Sequence, residues 1–309
     1  MDTTIILLPV SAIIPTKDRS TVLADTLISL SKQEYQPQEI IVIDASTDRK
    51  TELVCVAEIP NLKSIVVYEK ATYVGAAKQR NQGLQNAKHA FVFFMDDDIL
   101  FEEYCIEKLW KGIYNKSNVG GVNAFITNQH SQQPGKITSL IYNIIGGRKY
   151  KGQWGGKCFG PAINVLPTKQ DAVIDYLPVE WLNSTCTIYR KESLPNPVFD
   201  QHFTGYSFME DVALSLQVGK RYRLITSCKS AIFHDSQPSD EKKDKRKMAE
   251  MELVNRYYVM SKIMGQKGPR SVFQLIIQQL FSGVSTSNIL NKQYLLGKYS
   301  GLRRIIKER

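Results

Sequence analysis

The sequence predicts an α/β fold in which helices cover both faces of a mostly parallel β-sheet. Short apolar runs, which are typical of buried strands, alternate with segments whose apolar residues have helical spacing. The strand segments are apolar throughout and lack the alternation of a half-exposed sheet, so both faces are expected to be buried. Polar clusters follow several of the strands, where an α/β sheet binds its ligands.

The elements can be assigned in chain order, and Ser20 is expected to cap the first helix. Strands are predicted at residues 11–15, 39–45, 64–68 and 90–95, and helices at residues 21–33, 50–58, 75–87 and about 101–116. The pattern then loosens over residues 128–178, a length that indicates a functional or mobile segment. Regular patterns return at residues 181–189 and 223–234, and between them a loop at 203–209 opens a further helix.

Charge divides the chain into two parts. Of the formal net charge of +10, residues 242–309 carry 15 Lys and Arg against 4 Asp and Glu, a balance of +11, which leaves −1 for residues 1–241. We therefore predict a catalytic domain over residues 1–240 and a basic, partly amphipathic helical extension over residues 241–309. Such an extension favours an anionic partner, of which a membrane surface is one. The alternative is a helical cap or a dimer interface with a solvated basic face.

Cysteine usage and hydropathy bear on location. The five cysteines are odd in number and form no CxxC pair, so neither a disulfide framework nor a zinc site is expected, and a reducing cytoplasm is the simpler interpretation. The apolar N-terminal stretch lacks the positive region of a signal peptide. No apolar stretch approaches the roughly 18–20 residues that span a bilayer. We expect a cytoplasmic protein that contacts the inner face of the plasma membrane peripherally.

Three consecutive aspartates, Asp96, Asp97 and Asp98, follow the strand FVFFM. Adjacent negative charges repel one another, and a divalent cation such as Mg²⁺ or Mn²⁺ would relieve that repulsion. In an extended segment Asp96 and Asp98 lie on one side and Asp97 on the other. Asp96 and Asp98 are therefore the predicted metal pair. The alternative is a solvated acidic turn.

The order of these motifs resembles a family-2 glycosyltransferase of the GT-A fold, a Rossmann-like α/β architecture. The resemblance covers roughly residues 10–235 and rests on SAIIPTKDR, EIIVIDASTD, GAAKQRNQGLQNA, FVFFMDDD, GYSFMEDVALSLQVGKR and AIFH. It implies an enzyme that inverts the anomeric carbon of a nucleotide-activated sugar, usually a UDP-sugar.

The resemblance also implies a donor site. Pro15 and Thr16 would lie beside the nucleotide base, and Asp44 would accept a hydrogen bond from it. The second acid of the family's pair is missing after Asp44, which leaves the base open, and Asp44 could instead cap the next helix. Arg80 would reach a phosphate or hold an acidic partner, and the alternative is a solvated charge.

The remaining implied roles concern the metal and the chemistry. Asp96 and Asp97 would contact the donor, and His234, at the end of a strand, would join Asp96 and Asp98 as a metal ligand. The pair Glu210 and Asp211 opens a helix, where the helix dipole favours an ionised carboxylate.

Asp211 is the candidate general base for an acceptor hydroxyl, although acids at this position also serve simple charge complementarity. Trp181 and Tyr206 are candidate acceptor-binding aromatics, with burial in the core as the alternative.

The expected partners are a nucleotide-sugar and a saccharide or lipid-linked acceptor, in cell-surface polysaccharide synthesis, and no nucleic-acid-binding motif is evident. Two alternatives stay open: a sugar nucleotidyltransferase, which would need a Gly-rich basic loop after the first strand, and a non-catalytic protein of the same fold. The dehydrogenase fingerprint GxGxxG is absent.

Overall fold

The computed structural model describes residues 4–129, 134–146, 154–167, 174–237 and 243–307. In this part of the chain nine strands form one sheet. They are β1 (Ile6–Thr16), β2 (Tyr35–Asp44), β3 (Ile65–Lys70), β4 (Phe91–Met95), β5 (Ile99–Phe101), β6 (Val119–Ile126), β9 (Tyr176–Val179), β10 (Cys186–Arg190) and β11 (Arg223–His234). Their order across the sheet is β3-β2-β1-β4-β10-β6-β11-β5, with β9 paired to β11. Six of its strands run in one direction, while β5, β9 and β10 pair antiparallel to their neighbours. The predicted α/β fold with a mostly parallel sheet is confirmed.

A separate two-stranded sheet contains β7 (Cys158–Phe159) and β8 (Ile163–Asn164). The helices are α1 (Ser20–Ser31), α2 (Lys50–Val56), α3 (Ala76–Asn86), α4 (Cys105–Ile113), α5 (Lys136–Gly146), α6 (Glu210–Val218), α7 (Lys245–Tyr258), α8 (Pro269–Ser285) and α9 (Lys292–Lys307).

The central strands are buried on both faces, as their continuous apolar character predicts. In β4, Phe93 joins the core cluster on one face of the sheet, and its neighbour Phe94 joins the cluster on the other. Both rings are fully buried. Alternate side chains of a strand point to opposite faces, so β4 is anchored in the core on both sides. Asp96–Asp98 follow directly at its carboxyl end.

Several predicted boundaries were wrong. The helix expected at 101–116 begins at Cys105, because residues 99–101 form β5 against the end of β11. Ser20 lies inside α1, whose N-cap is Arg19, with no side-chain capping bond.

Strand β6 was not predicted, because its two glycines weaken the strand signal. Gly121 is required there, since a Cβ atom would lie 2.7 Å from the Tyr189 ring.

The described parts of residues 128–178 contain α5, β7, β8 and most of β9. The loose sequence pattern therefore hides short elements. One of them, α5, packs against α8, where the rings of Tyr142 in α5 and Phe281 in α8 lie 6.4 Å apart. Residues 130–133, 147–153 and 168–173 of this segment lie outside the described residues.

The C-terminal helices pack on the preceding chain. Asn255 of α7 donates to the carbonyl of Phe208 (2.8 Å), and the buried Arg256 donates to the carbonyl of Ala162 (2.6 Å). None of the described helices is both long and apolar enough to cross a membrane. A domain boundary near residue 240 stays a prediction.

Helix α9 lies very close to α7 at two glycines. A Cβ atom on Gly297 would lie 2.2 Å from the carbonyl oxygen of Arg246, and one on Gly301 would lie 3.2 Å from that of Glu250. Since the first distance is far shorter than any real contact, only glycine permits this helix spacing at residue 297.

We therefore expect Gly297→Ala to lower the free energy of unfolding by about 1–3 kcal/mol through overpacking. This loss opposes the roughly 1 kcal/mol that alanine normally gains over glycine inside a helix. Urea or thermal unfolding measures the effect.

The matched control is Gly283→Ala in α8, where the nearest atom to a Cβ is 3.6 Å away. It should be neutral or slightly stabilising. Equal stability of both variants would contradict this packing of α9.

Candidate active site

The carboxyl ends of β1, β2 and β4 bring the predicted donor residues together. Thr16 lies opposite Asp44 in the register of β1 and β2. Its hydroxyl donates to Asp97 (2.6 Å), just beyond the end of β4. The backbone of Asp96 donates to the carbonyl of Thr185, beside β10. The sheet thus places three separate segments of the sequence at one edge.

The acidic triplet points in two directions, as extended geometry predicts. Asp96 and Asp98 lie with His234 so that one ligand atom from each is within 4.8 Å of the others. Asp97, which is buried like Asp98, lies outside this group, and its carboxylate accepts bonds from Thr16 and from Arg19 (3.1 Å). Burial raises the pKa of Asp97 to about 6, against the opposing effects of these two donors.

Asp98 is held from three sides. His234 Nε2 lies 3.0 Å from one of its oxygens, while Arg19 (3.4 Å) and the backbone of Gln237 (3.3 Å) donate to the other. Burial disfavours the Asp98 anion, but the bond to His234 and the surrounding positive charge hold its pKa below its usual value. A carboxylate that stays ionised while buried is suited to bind a cation.

His234 is fixed at the end of β11. Its backbone N–H donates to the side chain of Asn128 (3.0 Å), whose amide donates back to the His234 carbonyl (2.8 Å). The second ring nitrogen lies 3.4 Å from the amide nitrogen of Gln129. Contacts of this kind orient an imidazole for metal binding.

Two carboxylates and one imidazole form a donor set that fits Mn²⁺ and is compatible with Mg²⁺. The three groups come from the end of β4 and the end of β11, so folding of the sheet assembles them. The residues present therefore fit a divalent cation, which Asp96, Asp98 and His234 could hold.

Arg80 links the acidic triplet to α6. It is buried, and its two terminal nitrogens donate to Asp96 (2.6 Å) and to Glu210 (2.9 Å). Its Nε has no hydrogen-bond partner among the described residues, and its guanidinium lies 5.6 Å from the centre of the Phe199 ring. Of the two roles predicted for Arg80, the structure shows an acidic partner, and a phosphate contact stays a prediction.

Glu210 and Asp211 begin α6 directly after Met209, which has a left-handed backbone (φ 73°). Burial, with the neighbouring Asp211 charge, raises the pKa of Glu210, and Arg80 opposes this effect. Burial likewise raises the pKa of Asp211, against the bond that it accepts from the Val212 N–H (2.7 Å). A raised pKa makes the Asp211 carboxylate a stronger base once it is ionised.

The loop before α6 passes over the start of α3. Gly75 and Gly205 form a parallel backbone bridge, and a Cβ atom on Gly75 would lie only 3.3 Å from the Gly205 nitrogen. Both residues have positive φ, which glycine adopts without strain. The next residue, Tyr206, is 37% exposed. Burial and the charges of Glu210 and Asp96 raise the pKa of its phenol to about 12, because the ring lies near the acids.

The two predicted acceptor aromatics differ in the structure. Trp181 is buried in the core, and its indole N–H donates to the carbonyl of Val165 (3.0 Å). Tyr206 alone of the two is open to solvent beside the acids. Burial of Trp181 corresponds to the alternative that the sequence left open, and an acceptor role for either ring stays a prediction.

Asp44 is fully buried at the end of β2. It accepts bonds from the backbone and hydroxyl of Ser46 and from the phenol of Tyr68 (3.1 Å). Lys70 lies 3.9 Å from the same carboxylate. Pro15 precedes Thr16 at the buried end of β1. These residues lie at the predicted place, but contact with a nucleotide base stays a prediction.

Sequence reasoning missed the roles of Arg19 and Gln79. Arg19 bridges Asp97 and Asp98, and its signal was a basic residue in the polar cluster after β1. The buried Gln79 donates to the carbonyls of Thr16 (3.0 Å) and Ile43 (2.7 Å). Nothing in the sequence marks a helical glutamine as the residue that joins the ends of two strands.

Comparisons with a family model and with a known relative both indicate a glycosyltransferase family. The model of the family described as "Glycosyl transferase family 2" matches residues 11–194, more than half of the 309 residues. The glycosyltransferase GlyG of Streptococcus pneumoniae serotype 4 is 30% identical over 108 residues, which are 35% of this chain and 36% of that protein. The match thus spans about a third of the relative's length.

Solved structures show the same fold at low identity. S. aureus TarS residues 1–349 in complex with UDP-GlcNAc gives a TM-score of 0.56 at 14% identity, covering 94% of this chain and 79% of that chain. The mannosyltransferase PcManGT of Pyrobaculum calidifontis, in complex with GDP-Man and Mn²⁺, gives 0.51 at 13% identity, covering 94% and 84%.

The Arg80 bridge predicts a stability effect. Arg80→Met leaves Asp96 and Glu210 without their shared cation, so we expect the free energy of unfolding to fall by about 3 kcal/mol, as for other broken buried ion pairs. Urea unfolding measures it.

Lys78→Met, on the same helix and only partly buried, is the control and should change little. A loss no greater than that of the control would show that Arg80 is not needed to neutralise the two acids.

Proposed function

Because the chain belongs to glycosyl transferase family 2, we propose that it moves a sugar from a nucleotide-diphosphate donor to an acceptor hydroxyl with inversion of the anomeric carbon. The observation that supports this most directly is the Arg80 bridge, which joins Asp96 of the Asp96–Asp98–His234 cluster to Glu210, the neighbour of Asp211. A site for a metal-bound diphosphate and a site for a base are thereby adjacent.

The proposed donor is a UDP-sugar. Structures of the same fold hold UDP-GlcNAc in one case and GDP-Man with Mn²⁺ in another, which supports a nucleotide-sugar at the same edge of the sheet. We propose that Pro15, Thr16 and Asp44 contact the base. Since Asp44 is enclosed by Ser46 and Tyr68, a base could reach it only if one of these hydroxyls moved.

In the proposed reaction Asp211 accepts the proton of the acceptor hydroxyl as its oxygen bonds to the anomeric carbon. The bond from that carbon to the diphosphate oxygen breaks, and the nucleoside diphosphate leaves with the electron pair. A divalent cation held by Asp96, Asp98 and His234 would neutralise the negative charge of the leaving diphosphate. Arg80 holds Asp96 and Glu210 in place, and the partly exposed Tyr206 would stack on a sugar ring.

We further propose that the acceptor is a saccharide or a lipid-linked saccharide in cell-surface polysaccharide synthesis. The protein would work in the cytoplasm and meet the inner face of the plasma membrane peripherally. The basic charge of residues 242–309 supports this placement.

The proposal predicts metal-dependent nucleotide binding. UDP with Mn²⁺ should raise the melting temperature, because a ligand at 100 times its Kd stabilises the folded state by about 2.7 kcal/mol. Asp98→Asn should remove the metal-dependent part of the shift. Differential scanning fluorimetry with UDP, GDP and dTDP, each with and without Mn²⁺, makes the comparison.

Asp25→Asn, on the exposed face of α1, is the control and should behave as the wild type. Absence of a metal-dependent shift with all three nucleotides would refute the proposed function.

The base assignment predicts a different result for Asp211. Asp211→Asn should bind UDP and Mn²⁺ as the wild type does and lose transfer by a factor on the order of 10²–10⁴, the usual contribution of a general base. Release of UDP from a panel of UDP-sugars, with water or added saccharides as acceptor, measures this loss.

The pH profile provides a second check. Since burial raises the pKa of Asp211, the ionised base is lost at a higher pH than for an ordinary aspartate of pKa about 4. The wild-type rate should fall as the pH drops below the raised value. Near wild-type transfer by Asp211→Asn would refute the assignment. Normal nucleotide binding by the wild type with no turnover would favour a non-catalytic protein.

A further inference from the structure

A groove between α7, α8 and α9 exposes a large apolar surface. The groove has a volume of about 390 Å³. Six of its lining side chains are between 48% and 63% exposed, although each is aliphatic or aromatic: Ile276, Leu280, Leu295, Tyr299, Leu302 and Ile306. A contiguous apolar surface of this kind is a usual sign of an interaction site.

The exposed residues form a stripe on each helix. Ile276 and Leu280 of α8 lie on one face with the exposed Phe273, three and seven residues along. In α9 the spacing from Leu295 to Ile306 follows the same rule. Two amphipathic helices therefore present their apolar faces outward to one groove.

Helix α9 is held in this orientation from behind. Gly297 and Gly301 fit against the backbone of α7, on the side of α9 away from the stripe. Glu252 of α7 pairs with Lys298 and with Arg256 (2.6 Å), so the acid beneath the groove is neutralised. The apolar stripe cannot turn inward without breaking these contacts.

The charged residues of α8, α9 and the segments beside them have one sign. Residues 259–307 contain eight Lys and Arg and no Asp or Glu. Exposed cations lie on both helices or at their ends, among them Arg270, Lys292, Arg303 and Lys307. Positive charge beside exposed apolar side chains matches the two components of an anionic bilayer surface, its headgroups and its acyl chains.

We propose that this groove and its cationic border form a docking face for an anionic phospholipid bilayer. The exposed stripes of α8 and α9 enter the boundary between headgroups and acyl chains, and an acyl chain fills the groove. The inference rests on the proposed function, because it names the surface by which the transferase would reach a lipid-linked acceptor. Vesicle binding tests it without any sugar transfer.

The experiment is co-sedimentation of the full chain with vesicles of phosphatidylglycerol or of phosphatidylcholine. We expect binding to phosphatidylglycerol that weakens as salt rises, and much weaker binding to phosphatidylcholine. The double variant Leu280→Glu/Leu302→Glu should bind phosphatidylglycerol at least about tenfold more weakly, since two exposed apolar groups that would enter the bilayer are replaced by charges. The double variant Arg303→Gln/Lys307→Gln should lose the salt-dependent part of its binding to phosphatidylglycerol vesicles.

The matched control is Leu53→Glu/Val56→Glu, which changes two apolar side chains of α2 that are at least as exposed as Leu280 and Leu302. It should bind vesicles as the wild type does. Equal loss in this control, or equal binding of the wild type to both lipids, would overturn the proposal.

Light scattering separates a second copy of the chain from a membrane. A wild-type dimer that Leu280→Glu/Leu302→Glu converts to a monomer, with no vesicle binding by the wild type, would assign the groove to self-association and overturn the proposal. Retained UDP and Mn²⁺ binding by the variant shows that it is folded. Vesicle binding without any nucleotide binding would keep the docking face and refute the proposed function.

Discussion

Five neighbouring carboxylates lie at one end of the sheet, and their mutual repulsion constrains the surrounding structure. They belong to Asp96, Asp97, Asp98, Glu210 and Asp211. Two arginines offset the negative charge of four of these carboxylates. Arg80 neutralises Asp96 and Glu210 from beneath, while Arg19 spans Asp97 and Asp98 from the loop after β1. Because buried charges are costly unless they are paired, the positions of α1, α3 and α6 are coupled to this cluster.

The negative charge is offset to different degrees at the two ends of the cluster. Arg80 is buried and fixed, whereas the side chain of Arg19 is about one quarter exposed. Asp98 keeps a lowered pKa beside His234, but burial raises that of Asp211. One end of the cluster therefore favours holding positive charge, and the other favours taking a proton. A glycosyl transfer needs both properties within one site.

The sequence predicted the sheet and the acidic cluster because both depend on local patterns. The run FVFFM followed by three aspartates, and the acid pair that opens α6, are readable as they stand. Gln79 and Arg19 were missed because their partners lie 36 to 79 residues away, and no spacing rule marks them. Trp181 shows a different limit of prediction from sequence. Nothing in the sequence distinguishes an aromatic residue that stacks on a ligand from one that packs in the core.

The glycine bridge between α3 and the loop of Tyr206 has a consequence for how this site could change. Gly75 and Gly205 meet backbone to backbone, so a side chain at Gly75 would push the loop away from α3. Arg80 lies five residues after Gly75, in α3, and donates a hydrogen bond to Asp96. Exchange of this loop would therefore have to keep this pair of glycines, whereas Tyr206, whose side chain is partly exposed, could be replaced without disturbing the backbone bridge.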